Sequence, residues 1–158
     1  MSTIQFTSLP TEQVIAYQSG APDAHGQVPE THISDGSAIP CRHCQQEVAA
    51  GDPYLILSYM PFDALQPYAE TGPIFLHANA CERYTDYDTI PPMFLSREAF
   101  LLKGYSTDNR IIYGTGKIVK TSGLTHYAAE LLEDPLVAYV HVRSALNNCF
   151  SCRIDRVK

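Results

Sequence analysis

Apolar and polar residues alternate from Ile4 to Leu9 as along a short strand, and Tyr54-Leu55-Ile56-Leu57-Ser58-Tyr59 and Ile74-Phe75-Leu76-His77 read as two more. Between Ser8 and Gly20 the chain carries the punctuation of a short helix: a candidate cap at Ser8, Pro10 in the first turn and Gly20 at the stop. Ala21 to Pro40 is polar and aperiodic, broken by Pro22, Gly26, Pro29 and Gly36, and is expected as a long loop within a single domain spanning 1–158. Gln45 to Ala50 has the composition of one or two helical turns, and Tyr84 to Pro92 reads as loop.

Phe100 to Tyr105 and Arg110 to Gly114, joined by a turn at Ser106-Thr107-Asp108-Asn109, are predicted to pair as a hairpin. Gly114-Thr115-Gly116-Lys117 lacks the full spacing of a phosphate loop and is expected as a bend within a strand. Leu124 to Leu132 has the period of an amphipathic helix ended by Asp134-Pro135. The last hairpin runs from Leu136 to Ser144 and from Cys149 to Arg156, with its turn at Asn147-Asn148. The sum is an α+β fold: a mainly antiparallel sheet with two or three short helices.

Composition changes this picture little, but it excludes some functions. At 158 residues, with 45% hydrophobic side chains, the chain has the makings of a real core. A bound metal would therefore support the fold rather than replace its core. A net charge of −6 with only 11 lysines and arginines argues against nucleic-acid binding, which rests on concentrated cationic surface. No apolar run reaches membrane-spanning length, and Met1 to Phe6 lacks the basic and apolar regions of a secretory signal. The expectation is a cytoplasmic protein that engages neither membrane nor nucleic acid. In a reducing compartment the odd count of five cysteines points to metal binding, catalysis or packing rather than to disulfides.

The chemistry-bearing residues fall in two places. Cys41-Arg42-His43-Cys44 is a C-x-x-C knuckle, and His77 and Cys81 follow as a second short-spaced pair. Zinc prefers thiolate and imidazole in a tetrahedron, so Cys41, Cys44, His77 and Cys81 form the preferred ligand set of a zinc-knuckle-like site, with the metal structural. Cys149 and Cys152 offer a rival second pair, but residues three apart on a strand point to opposite faces, and Cys152 falls in register with Phe150 and Ile154 in the core.

A thiol redox role for the first motif would need a preceding strand and a substantial following helix. A deaminase role would need an upstream H-x-E, and the chain offers only His25-Gly26-Gln27 and His32-Ile33-Ser34. His25, His32 and Asp35 read as solvated loop residues.

The other constellation lies on the final hairpin. Ala138, Val140, Val142, Phe150, Cys152 and Ile154 share an apolar face, and Tyr139, His141, Arg143, Arg153 and Asp155 the opposite one. As a solvent face, its Arg153 and Asp155 would simply pair with neighbours. As a site, Arg143 and Arg153 would clamp a small anion, with His141 as general acid/base and Glu70 assisting. Tyr68 and Tyr105 are further polar candidates. Two functions follow: a zinc-containing module presenting a surface to a small anion or a protein partner, or an enzyme acting on a small anionic substrate. Redox chemistry at the C-x-x-C is the third.

Pro40 to Cys44, Pro67 to Ala78, Cys81, Gly104-Tyr105 and Val140 to Ser144, in that order, resemble a bacterial family labelled domain of unknown function 1203. The likeness runs from about Ala38 onward. It implies no particular activity. One departure is Asn79, where the resemblance implies an acidic residue.

Overall fold

A computed structural model of the chain describes residues 2–158. In order come β1 (Ile4–Thr7), α1 (Thr11–Gln18), β2 (Glu30–Ile33), β3 (Pro53–Tyr59), β4 (Gly72–His77), a 3-10 turn over Pro92–Ser96, β5 (Ala99–Tyr105), β6 (Lys117–Lys120), α2 (Leu124–Leu131), β7 (Tyr139–Ser144) and β8 (Phe150–Arg156). Five strands form one sheet in the order β1-β8-β7-β5-β6, three form another in the order β2-β3-β4, and every pairing is antiparallel. The expected α+β class is the observed one.

Strand parity builds two cores. Phe6, Phe100, Leu102, Val140, Val142, Cys152 and Ile154 line one face of the large sheet, and Leu124 and Ala128 of α2, with Leu132 at its C-cap, lie over them beside Phe94 from the 3-10 turn. Each such apolar side chain taken from water stabilises the fold by roughly 1.5–3 kcal/mol. On the small sheet Leu55 pairs with Leu76 and Leu57 with Ile74. These four pack with Leu9, Val14, Val48, Cys41 and Phe150 in a second core on the opposite face of the large sheet. Asn109 and Asn148 take the left-handed conformation, at φ 63° and 59°, in the two turns the sequence marks.

Several expectations are corrected. The stretch 21–40 is not wholly loop, because β2 pairs along β3. Its side chains are all exposed, so no alternation announces it, and it is held to the sheet edge by backbone pairing and by the His32 ring against that of Tyr54, 6.0 Å between centroids. Gln45 to Ala50 forms no helix. Gln45 sits at φ 58°, the Cys41 amide donates to the Gln46 carbonyl, and the Val48 amide to that of Ile39, closing a tight antiparallel knuckle. Ser8 does not cap α1; its hydroxyl turns to the Tyr84 carbonyl, and Pro10 holds the cap position.

β5 finds its partner in β6, and Arg110 to Gly114 adds only a bridge between Tyr105 and Ile111. Gly114 to Gly116 is the turn leading into β6 rather than a bend inside a strand, with Gly114 at φ 94°.

The last correction concerns the final hairpin. A bulge between Val142 and Arg143 sets Phe150 opposite Arg143 while Cys152 stays opposite Val142. Phe150 thus leaves the face of Cys152 and Ile154, and its ring meets Tyr59 and His141 at centroid distances of 5.6 and 4.9 Å. The supposedly open polar face is covered by the small sheet and the loop that carries Phe62.

Candidate functional site

The knuckle docks on the free edge of β4. The Arg42 amide donates to the Phe75 carbonyl, and the His77 amide to Cys41 Sγ at 3.3 Å. From α1, Gln18 Nε2 donates to the carbonyls of His77 and Asn79, each at 2.9 Å, which pins the end of the strand that delivers His77. As a result the ligand atoms of Cys41, Cys44, His77 and Cys81 all lie within 4.8 Å of one another.

Cys41 Sγ is 4.0 Å from Cys81 Sγ, and Cys44 Sγ is 3.4 Å from His77 Nδ1. In a tetrahedron with zinc–sulfur bonds of about 2.3 Å and zinc–nitrogen bonds of about 2.0 Å, these edges would be about 3.8 and 3.5 Å. The donor set therefore fits a four-coordinate ion. Cys41 and Cys44 are buried, and Cys81 is half-buried.

Electrostatics point the same way. Hydrogen bonds from Cys44 first, then Cys81 and His77, hold Cys41 far below the ordinary thiol value as a thiolate. The hydrogen bond to Cys41, and after it the charge there, push Cys44 up to about 11, and hydrogen bonds to Cys41 and Cys44 drive Cys81 up. Only one of the three sulfurs thus holds its charge readily, because three thiolates this close would repel one another strongly, and a cation among them would remove the conflict.

His43 completes the surroundings. Its Nδ1 lies 3.1 Å from Cys81 Sγ and its Nε2 2.9 Å from Thr11 Oγ1. With Cys81 as thiolate, Nδ1–H donates to sulfur and Nε2 accepts from the hydroxyl, an outer contact that orients a metal ligand. Sequence reading missed this role because only the fold brings Thr11 to the knuckle. Arg42 turns the other way: Nε donates to the Phe150 carbonyl and Nη1 to the Pro40 carbonyl, both at 2.8 Å. Neither Cys149 nor Cys152 joins the cluster; Cys152 is fully buried in the first core. His25 and His32 also stay away, the latter paired with Glu30 at 2.8 Å.

The polar face of the hairpin is divided between two clefts. His141 is 1% exposed and boxed by the rings of Phe62, Tyr105, Tyr139 and Phe150 at 4.6–5.2 Å between centroids. With Arg153 and Asp155 it borders a cleft of about 490 Å³. Arg153 is occupied there, 2.7 Å from Asp155 and stacked 3.9 Å over the Tyr139 ring.

Arg143 borders a second, smaller cleft of about 200 Å³ with Glu70 and Phe150. The two arginines border different clefts, and the Phe150 ring lines both. Lys103, opposite His141 in the ladder, belongs to this face too. Its alternation with Leu102 could have signalled it. Tyr68 lies elsewhere, bonded to the Tyr113 hydroxyl at 3.0 Å.

Burial, then Arg143, Arg153 and Lys103, hold His141 well below its ordinary value of 6.5 and therefore neutral. In the unfolded chain the ring takes a proton as pH falls through that value, and in the folded chain it resists. The stability from keeping it neutral is complete above about pH 6.5 and declines below, by up to about 1.4 kcal/mol per pH unit. His141→Phe is expected to flatten this slope between pH 7 and pH 5 in urea titrations. Equal slopes in the two proteins would show that His141 charges readily within the fold.

Fold and centre together define an α+β protein of mostly antiparallel sheets carrying a Cys3His group that could hold a metal ion. The chain belongs to the family described as protein of unknown function (DUF1203), whose pattern matches residues 38–156. Both ligand pairs, Glu70, His141, Arg143 and Arg153 lie inside the matched span. No curated protein and no solved structure matches the chain. Among the described residues, no helix is long and apolar enough to cross a membrane.

Proposed function

We propose that this is a cytoplasmic zinc protein in which the metal is structural and holds the knuckle, β4 and α1 in place around a polar face that receives a small anion. The observation that carries the reading is the convergence of four protein ligands within 4.8 Å. Three thiolates and one imidazole fill a zinc coordination shell and make the ion electron-rich, which suits a structural role rather than Lewis-acid catalysis. An odd count of five cysteines, three of them gathered as metal ligands, is in keeping with a reducing compartment.

Metal analysis of protein purified without chelators is expected to return one zinc per chain. Less than stoichiometric zinc, even after refolding with zinc salt, would overturn the assignment.

A second reading, an enzyme acting on a small anion, is favoured by one observation. His141 is neutral, its Nδ1 has no hydrogen-bond partner, and it borders a cleft. In that reading His141 is the general acid/base and Arg143 holds the substrate, and Arg153 is already engaged by Asp155.

A further inference from the structure

A third cleft, of about 520 Å³, is bordered by none of the metal ligands and by none of His141, Arg143 and Arg153. It opens between Pro40 and Arg42 of the knuckle, Phe75 of β4, Ala99 at the start of β5 and Leu146 in the turn between β7 and β8. Its walls are mostly apolar, and its volume is that of a site for a small molecule.

Two buried polar residues border it: Arg42, 4% exposed, and Ser151, 7% exposed. Arg42 engages the Phe150 carbonyl through Nε and the Pro40 carbonyl through Nη1, which leaves Nη2 without a partner among the described residues. The Ser151 hydroxyl likewise has none. The unbonded polar atoms that the fold seals from solvent belong to Gln45, Tyr105, His141 and Arg143. Arg42 Nη2 and Ser151 Oγ are not among them, so both remain accessible, and the cleft is what their residues border.

Charge identifies the occupant. A guanidinium keeps its proton in proteins, and buried charges are normally paired. Among the described residues no carboxylate pairs with Arg42. Glu47 of the knuckle is taken by Arg97 at 2.8 Å, and Glu98, which also borders the cleft, is exposed to solvent. The protein partners of Arg42 are two neutral carbonyls, so its charge is solvated but not cancelled. Water entering the cleft could bond Nη2 and the hydroxyl but could not supply the missing negative charge. A carboxylate supplies it, and an apolar body attached to that group would cover the walls.

We infer that this cleft binds a small carboxylate with an apolar body, its oxygens on Arg42 Nη2 and Ser151 Oγ and its body against Pro40, Phe75, Ala99 and Leu146. The inference goes beyond the proposed function, since it uses neither the polar face of the final hairpin nor the metal ligands.

The test is calorimetric titration of the full chain, of measured zinc content, with benzoate, benzamide and acetate. Benzoate is expected to bind at least about tenfold more tightly than benzamide, which keeps the ring without the charge, and than acetate, which keeps the charge without the ring. Ser151→Ala removes a hydroxyl that bonds nothing in the fold and is expected to weaken benzoate about tenfold.

Cys149 reports where the ligand sits. It borders the cleft half-buried, whereas Cys41, Cys44 and Cys81 belong to the metal group and Cys152 is buried. Benzoate at about ten times its dissociation constant is expected to slow alkylation of Cys149 by iodoacetamide about tenfold, read by peptide mass spectrometry.

Equal binding of benzoate and benzamide, equal binding of benzoate and acetate, or unchanged affinity in Ser151→Ala would each overturn the site. Benzoate binding that leaves Cys149 as reactive as before overturns it too, because the ligand then lies elsewhere. Should Ser151→Ala fail to fold, the benzamide comparison and the protection of Cys149 decide. Zinc-replete protein that binds no benzoate overturns this inference and leaves the metal assignment standing.

Discussion

Replacing Cys44 with Ser, or stripping the metal with a chelator, is expected to cost at least about 3 kcal/mol and to loosen one side of the molecule only. Structural zinc sites in small peptides bind with roughly 10–16 kcal/mol, which sets an upper bound for a chain with its own core. The loss is local because the first core contains none of the ligands, whereas Cys41 and Cys44 pack directly with Leu55, Leu57, Ile74 and Leu76. Without the ion, three thiols within 4.8 Å of one another compete for protons and no longer hold the knuckle against β4.

Hydrogen exchange followed with and without metal tests this. Amides of β3, β4 and residues 41–48 should exchange faster in Cys44→Ser, while those of β5, β7 and β8 keep their protection. A uniform loss across both sheets, or no loss, contradicts the assigned role of the centre.

Arg42→Ala is expected to destabilise by about 3 kcal/mol while leaving zinc bound. The guanidinium is almost wholly buried, and burial brings it down only to about 10, so it remains charged. It has two carbonyls for partners, those of Phe150 and Pro40, and the Phe75 ring at 5.9 Å. Truncation leaves both carbonyls without donors and opens a hole between the knuckle and the bulge of β8, and each lost buried partner costs about 1–3 kcal/mol. Arg42→Lys, a single point donor, should recover no more than about half of the loss. Urea unfolding with parallel metal analysis separates the effects: a loss under about 1 kcal/mol, or loss of zinc with stability intact, would contradict this role.

The same residue shows where sequence reading stops. Between two thiols, Arg42 invites a role in tuning their acidity, yet it points away from the sulfurs and ties two segments more than a hundred residues apart. His43, its neighbour, is the one that touches a ligand sulfur. Nothing in the local spacing distinguishes the two, because the difference depends on α1 bringing Thr11 under the knuckle. The bulge at β8 is similarly silent in sequence, yet it moves Phe150 across the sheet.

By itself the sequence determined the strands whose burial alternates, β1, β3, β4 and β5, the two strands of the final hairpin, β7 and β8, the amphipathic α2, and the two ligand pairs of the Cys3His group. These are local properties: alternation fixes which side chains share a face, and short spacing fixes which sulfurs and nitrogens can reach one point. The tertiary structure alone decided that an all-exposed segment would become β2, that the face of His141 and Arg143 would be covered, and that Arg153 would be neutralised by Asp155 while Arg143 kept two donors free. Those outcomes depend on what packs against a face, and the periodicity of a single segment carries no information about its neighbours.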